Sequence, residues 1–196
     1  MRIYHRSHAG RPLRAAWTLE EIGHPYELVI VSKEESAHRA RHPLGKVPVL
    51  EDDAGTVLFE SAAICLHLAD LFPDAGLIPP LGHERRPLVY QWTVFAPAEI
   101  EPRLIQAANR AQEAPEVAAK ARNRFDVAAQ AVSAALGERD FLVGDSLTVA
   151  DVMVASALAF TARVGIMQEL APNLQAYLAG MAARPAYQRA LAKTDV

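Results

Sequence analysis

Apolar residues recur along this chain in two rhythms, a short alternation that suits strands and a three-to-four spacing that suits helices, and after Glu84 only the second persists. Arg2-Ile3-Tyr4 predicts a short strand. A loop from His5 to Arg11 then leads to a helix opened by Pro12, whose missing N–H is no loss at a first helical position. Leu13, Ala16, Trp17 and Glu20 fall on one side of that helix, and Gly23 is placed to stop it. Tyr26 to Val31 predicts a second strand, and Glu34 to Arg41 a short polar helix ended before Pro43. Val47–Leu50 and Val57–Phe59 predict a hairpin around Asp53-Ala54-Gly55. A helix from Ser61 to Phe72, with Ile64, Leu68 and Leu71 inward, completes the order βαβαββα.

The run from Phe72 to Gly82 is dense in proline and glycine and carries no regular period. It divides the chain into a first domain of residues 1–76, a linker of residues 77–83 and a second domain of residues 84–196. The second part is Ala-rich and helical in period, with expected breaks at Pro97, Pro102, Pro115, Gly137, Gly144 and Pro172. Val117, Ala121, Phe125, Ala128, Val132 and Leu136 form one long stripe, the pattern of a helical bundle.

Composition narrows the function. With 196 residues, 51% hydrophobic and 22% charged, the chain can bury one large core or two small ones. Lys+Arg 20 against Asp+Glu 23, with the basic residues scattered, gives no electrostatic case for nucleic acid. No apolar run approaches membrane-spanning length and the first residues lack a secretion h-region, so a cytoplasmic location is expected. The lone Cys65 excludes an internal disulfide and a Cys-x-x-Cys motif, and the histidines show no metal-ligand spacing.

Candidate chemistry gathers at two places. Pro48 stands between β-branched residues, where it cannot donate to a ladder, so it marks a special backbone position. A cis bond there would turn the Val47 N–H and C=O outward, free to pair with an extended peptide. Glu60-Ser61 supplies a carboxylate, a hydroxyl and the N–H groups of a helix start, which together suit a zwitterionic amino-acid headgroup. Read structurally, Ser61 is an ordinary N-cap and Lys46 a solvated edge lysine.

Tyr4-His5-Arg6-Ser7, the stretches Glu20 to Glu27, His42 to Leu50 and Glu60 to Ile64, and then Phe141 to Asp151 and Arg184 to Tyr187 resemble, in this order, motifs of the cytosolic glutathione S-transferases. The resemblance covers essentially the whole chain and is to the bacterial type with a serine-type site and a zeta-like first loop. It implies an α/β, thioredoxin-like first domain followed by an all-α helical-bundle domain. It also implies a homodimer, a detoxifying role, and glutathione as co-substrate with no metal. The implied activity is attack of glutathione thiolate on a small, largely apolar electrophile. A glutathione-dependent cis-trans isomerase and a non-catalytic binding or assembly module of the same fold stay open as alternatives. A thiol–disulfide reductase is disfavoured, since the loop from His5 to Arg11 has no cysteine.

A free cysteine thiol titrates near 8.5, and lowering that by about two units requires roughly 2.7 kcal/mol of preferential thiolate stabilisation. A hydroxyl donor and a helix N-terminus are able to supply it. Under the resemblance Ser7 is the thiolate's donor, His8 and Arg11 are possible support, and Tyr4 is a weaker candidate. Val47 with Pro48 pairs the cysteinyl part of glutathione, and Lys46 faces its glycyl carboxylate. Glu60 and Ser61 meet the γ-glutamyl group, and the second substrate's pocket draws on Ala9 and the stretch Trp92 to Ile105. Cys65 reads as a small buried residue, and Thr148-Val149-Ala150-Asp151 as a capping box with Asp in place of the usual Glu.

Overall fold

The structure is a computed structural model and describes residues 1–6, 10–32, 34–163 and 170–194. Its contacts divide the chain into two units, Met1–Ile78 together with the residues from Ala183 onward, and Pro79–Ala182.

The first unit runs β1 (Arg2–His5), α1 (Pro12–Ile22), β2 (Glu27–Ile30), α2 (Ser36–Arg41), β3 (Val49–Glu51), β4 (Val57–Phe59) and α3 (Ser61–Leu71). This is the expected βαβαββα order, with most elements a residue or two shorter than the sequence suggests. The sheet order is β2-β1-β3-β4, with β1 parallel to β2 and the other two pairs antiparallel. The parallel pair needs a crossover, which α1 provides. Its end is fixed by Gly23, whose φ of 78° lets the N–H groups of Gly23 and His24 both reach the Leu19 carbonyl. Ile3 and Leu50, Ala16 and Leu19 of α1, and Ile64 and Leu68 of α3 are buried, while Tyr4, Val31 and Val49 form a second small cluster. Cys65 is buried as expected. Thr18 Oγ1 lies 3.3 Å from its sulfur, and burial pushes the thiol up to about 11.

A last helix, α9 (Pro185–Thr194), groups with this unit although the sequence assigned residues 84–196 to the second. Its contacts with α1 explain the difference. Trp17 meets the Tyr187 ring edge-on at 4.9 Å, and Arg184 grips Glu21 through Nε at 2.7 Å and Nη2 at 2.9 Å. Glu20 accepts from Arg189 Nε at 2.6 Å, Lys193 Nζ at 2.5 Å and Tyr26 OH at 3.0 Å. Burial pushes the Glu20 carboxyl up, but these three donors outweigh it and hold the group below its ordinary value. A carboxyl depressed in the folded state stabilises the fold above its unfolded pKa, about 4.3, and that contribution is lost as pH falls through the folded value. As pH falls below about 4.3, then, α9 should become the first segment cut by an acid protease, and Glu20→Gln should flatten that pH dependence. Equal sensitivity of both proteins to pH would refute it.

The second unit is helical: α4 (Arg86–Phe95), α5 (Glu101–Arg110), α6 (Pro115–Leu136), α7 (Val149–Arg163) and α8 (Pro172–Ala182). Pro97 and Pro102 do not break the chain as expected. A π-helical turn, Ala96–Ile100, carries α4 into α5, with the Glu101 N–H reaching back five residues to the Ala96 carbonyl. Pro97 has no N–H to give a preceding carbonyl, and the wider turn absorbs that loss without ending the helix. The α6 stripe is buried from Ala121 to Leu136, but Val117 is 41% exposed, since it belongs to the first turn before the stripe reaches the core. Trp92, Ala96, Ile100 and Leu104 are buried in this unit, while Val94 and Ile105 are exposed. The α7 helix forms its centre, and Asp151 at the start of α7 accepts the Leu142 and Thr148 N–H groups and the Thr148 and Tyr177 hydroxyls. Among the described residues, no helix is long and apolar enough to cross a membrane.

Candidate functional site

Strand register decides which of the candidate residues can meet. Tyr4 of β1 and Phe59 of β4 are both opposite Val49 of β3. Because β3 runs against both neighbours, the chain entering it at Pro48 lies beside the chain leaving β1 at His5 and the chain leaving β4 at Glu60. Val47-Pro48, Glu60-Ser61 and the start of the first loop are thereby gathered at one end of the sheet.

The segment before β3 is pinned from two sides. The Val47–Pro48 bond is cis. His38 of α2, buried, donates from Nε2 to the Lys46 carbonyl at 2.9 Å, and Arg6 donates to the Gly45 carbonyl. His42, also buried, takes the Leu44 N–H on Nδ1 at 3.1 Å and lies tilted by 40° against the Phe59 ring at 4.6 Å. Burial holds its imidazole below the ordinary value, partly offset by the Glu60 carboxylate. The Val47 side chain packs on the Tyr4–Val31–Val49 cluster. Among the described residues no backbone group pairs with the Val47 N–H or C=O, which leaves that edge available to an extended ligand. Lys46 is exposed. Sequence reasoning assigns His38, His42 and Arg6 no role in the site, because their partners are carbonyls or rings supplied by the fold.

At the start of α3 the alternative reading of Ser61 as an N-cap does not hold. Glu60, not Ser61, holds the N-cap position, with φ 71° and ψ 112° and no side-chain cap bond. A non-glycine residue with this φ is strained by about 1–3 kcal/mol, and Glu60 is exposed at the mouth of the helix. Ser61 is the first helical residue and is buried, and its Oγ accepts from Arg14 Nη1 at 3.2 Å. The first N–H groups of α3 have no acceptor within the helix, and the helix dipole places partial positive charge on them.

Ser7 and His8, with Ala9, lie outside the described residues. Arg11 occupies the N-cap of α1, half-buried, and its carbonyl accepts the Arg14 N–H at 3.1 Å. Tyr4 turns away from this end. Its hydroxyl donates to Glu51 Oε2 at 2.6 Å and Arg41 lies 4.2 Å from its ring, so the phenol is engaged on the other face of the sheet. Burial and then the Glu51 carboxylate push that phenol above its ordinary value, the opposite of what a thiolate-activating donor needs.

The glutathione S-transferase N-terminal domain family matches residues 10–76, and the glutathione S-transferase C-terminal domain family matches residues 87–185. The chain is 29% identical over 180 residues to glutathione S-transferase GstA of Escherichia coli O157:H7, a match covering 89% of each protein. It is 33% identical over 190 residues to glutathione S-transferase 4 of Zea mays, covering 88% of this chain and 83% of that one. A sphingomonad glutathione S-transferase solved in complex with glutathione superposes with a TM-score of 0.88 at 30% identity, over all of both chains. Sequence, fold and the gathered residues agree: the chain belongs to the glutathione S-transferase family and is a glutathione transferase, with glutathione as its co-substrate, built from a thioredoxin-like unit and a helical one.

Proposed function

We propose that this transferase clasps glutathione along the sheet end where Val47-Pro48 and Glu60-Ser61 converge and delivers the thiolate, held by Ser7, to a small and largely apolar electrophile. The convergence fixed by strand register carries the proposal. In it, the Val47 N–H and C=O pair with the cysteinyl residue of glutathione as Pro48 turns them outward. Lys46 faces the glycyl carboxylate, Ser61 and the first α3 N–H groups take the γ-glutamyl carboxylate, and Glu60 takes the ammonium. The sulfur then points toward the loop that follows β1. There the Ser7 hydroxyl donates to the thiolate, His8 and Arg11 add positive charge, and no covalent bond to the protein forms. The division into residues 1–76, a linker of residues 77–83 and residues 84–196 belongs to the same proposal, with α9 returning to pack on α1. A homodimer, a cytoplasmic location and a detoxifying role complete it.

The experiment is glutathione binding by calorimetry, followed by the rate with a chloronitroaromatic acceptor. Ser7→Ala should lower that rate about tenfold or more with glutathione affinity unchanged, since about 1.4 kcal/mol of lost thiolate stabilisation corresponds to tenfold. An unchanged rate would remove Ser7 from the role. Binding without turnover would identify a non-catalytic module instead.

A further inference from the structure

His38 is wholly buried on α2, yet only one of its ring nitrogens has a partner: Nε2 lies 2.9 Å from the Lys46 carbonyl, while Nδ1, cut off from water, has none. A carbonyl oxygen can only accept, so Nε2 carries the hydrogen. A phenyl ring would fill the same space beside Tyr4, whose ring centre is 6.5 Å away, without burying an unpaired nitrogen, so packing alone does not account for a histidine. The bond to Lys46 does.

The effect of that bond passes through a single peptide group. The Lys46 C=O and the Val47 N–H belong to the same amide, which is planar and trans, so the two point in opposite directions. Holding the carbonyl toward α2 therefore aims the N–H away from α2, where among the described residues no backbone group meets it. No described backbone N–H reaches the Lys46 carbonyl either, so the ring is what orients this amide. Arg6 acts one residue earlier, on the Gly45 carbonyl, and so on a different amide. Donation to the C=O also polarises the amide and strengthens its N–H as a donor.

We infer that His38 is a positioning residue for the Val47 N–H, holding it ready to donate to the cysteinyl carbonyl of glutathione before the ligand arrives. This role rests on the proposed pairing of Val47 with the cysteinyl residue. His38 acts through the Lys46 carbonyl, not on the ligand or its sulfur.

The test compares glutathione with an isostere in which a trans double bond replaces the cysteinyl–glycine amide, so that both carboxylates and the thiol remain while the carbonyl and the glycyl N–H are lost. Binding of each is measured by calorimetry. Wild type should bind glutathione about tenfold more tightly than the isostere. His38→Phe, which keeps a ring without the donor, should weaken glutathione binding about tenfold and leave the isostere unchanged, with kcat for the chloronitroaromatic acceptor within about twofold. His38→Gln, whose amide N–H can take the place of Nε2–H, should restore most of the preference. A merely structural histidine would shift both ligands alike, and equal shifts, or none, would overturn the inference. Should His38→Phe fail to fold, His38→Asn decides, since its shorter amide stops short of the carbonyl; a preference for glutathione as strong as that of wild type would then refute the role. Wild type separates the two levels. If it binds both ligands equally, the pairing proposed for Val47 falls and the inference with it; if it discriminates and His38→Phe does as well, only His38 is removed.

Discussion

Replacing Asp151 by alanine should lower stability by about 3–5 kcal/mol, seen as a melting temperature lower by roughly 10 °C or more. The carboxylate is wholly buried and serves as acceptor for four donors: the Leu142 N–H at 2.8 Å, the Thr148 N–H at 2.9 Å, Thr148 Oγ1 at 3.0 Å and Tyr177 OH at 3.1 Å. Alanine supplies no acceptor and leaves no route to water. Each buried donor so orphaned costs about 1–3 kcal/mol, and the two backbone N–H groups cannot rotate away as the hydroxyls can. The damage should be concentrated where the chain enters α7, which runs through the middle of the second unit. Asp151→Asn keeps one oxygen but turns an amide N–H₂ toward donors, so it should fall between wild type and alanine. Thermal and denaturant unfolding measure the series. A loss under about 1 kcal/mol for alanine would mean that the network is not what holds this turn.

The network was half legible. Thr148 and Asp151 stand three apart before an apolar run, and that spacing alone identifies a helix start. Nothing local indicates that the same carboxylate also serves Leu142 and Tyr177, which come from nine residues before it and twenty-six after. The candidate site divides in the same way. Val47-Pro48 and Glu60-Ser61 could be read from the chain because their chemistry depends on neighbouring residues. His38, Arg6 and Arg14 could not, because each acts on a partner that only the fold brings to it, 8, 39 and 47 residues away in turn. The purely structural alternative for Ser61, an N-cap of α3, fails, because Glu60 holds that position with a φ no local rule assigns to glutamate. The prolines of the second half erred in the other direction. A break is the local expectation at Pro97, and the π-helical turn that replaces it is set by the packing of Ala96 and Ile100 into the core.

These differences share a cause. Periodicity reports which face of an element is apolar, not which neighbour will cover it. Within α1 successive turns of one face do different work: Arg14 reaches α3, while Trp17, one turn further on, reaches α9. The helix that opens after the first loop is thus fixed by contacts with a segment more than 160 residues away, as the Arg184–Glu21 pair, 163 residues apart, makes plain.

Trp17→Ala should therefore do more than leave a hole. Trp17 is fully buried, meets the Tyr187 ring edge-on and gives its Nε1–H to Glu21 Oε1 at 2.8 Å, the oxygen that also takes Arg184 Nε. Truncation of a buried tryptophan costs about 3–5 kcal/mol, a large part of the 5–15 kcal/mol a typical domain has. Since the lost contacts lie between α1 and α9, the loss should show first as local opening of α9, whose amides should exchange far faster than those of β1 and β3. Trp17→Phe restores an aromatic ring against Tyr187 without the indole N–H and should recover most of the stability, which separates packing from the Glu21 bond. Hydrogen exchange resolved by segment gives the answer. If α9 exchanges in Trp17→Ala as slowly as in wild type while overall stability falls, the tryptophan supports the first unit's core alone, and the attachment of α9 must be assigned to its ion pairs with Glu20 and Glu21.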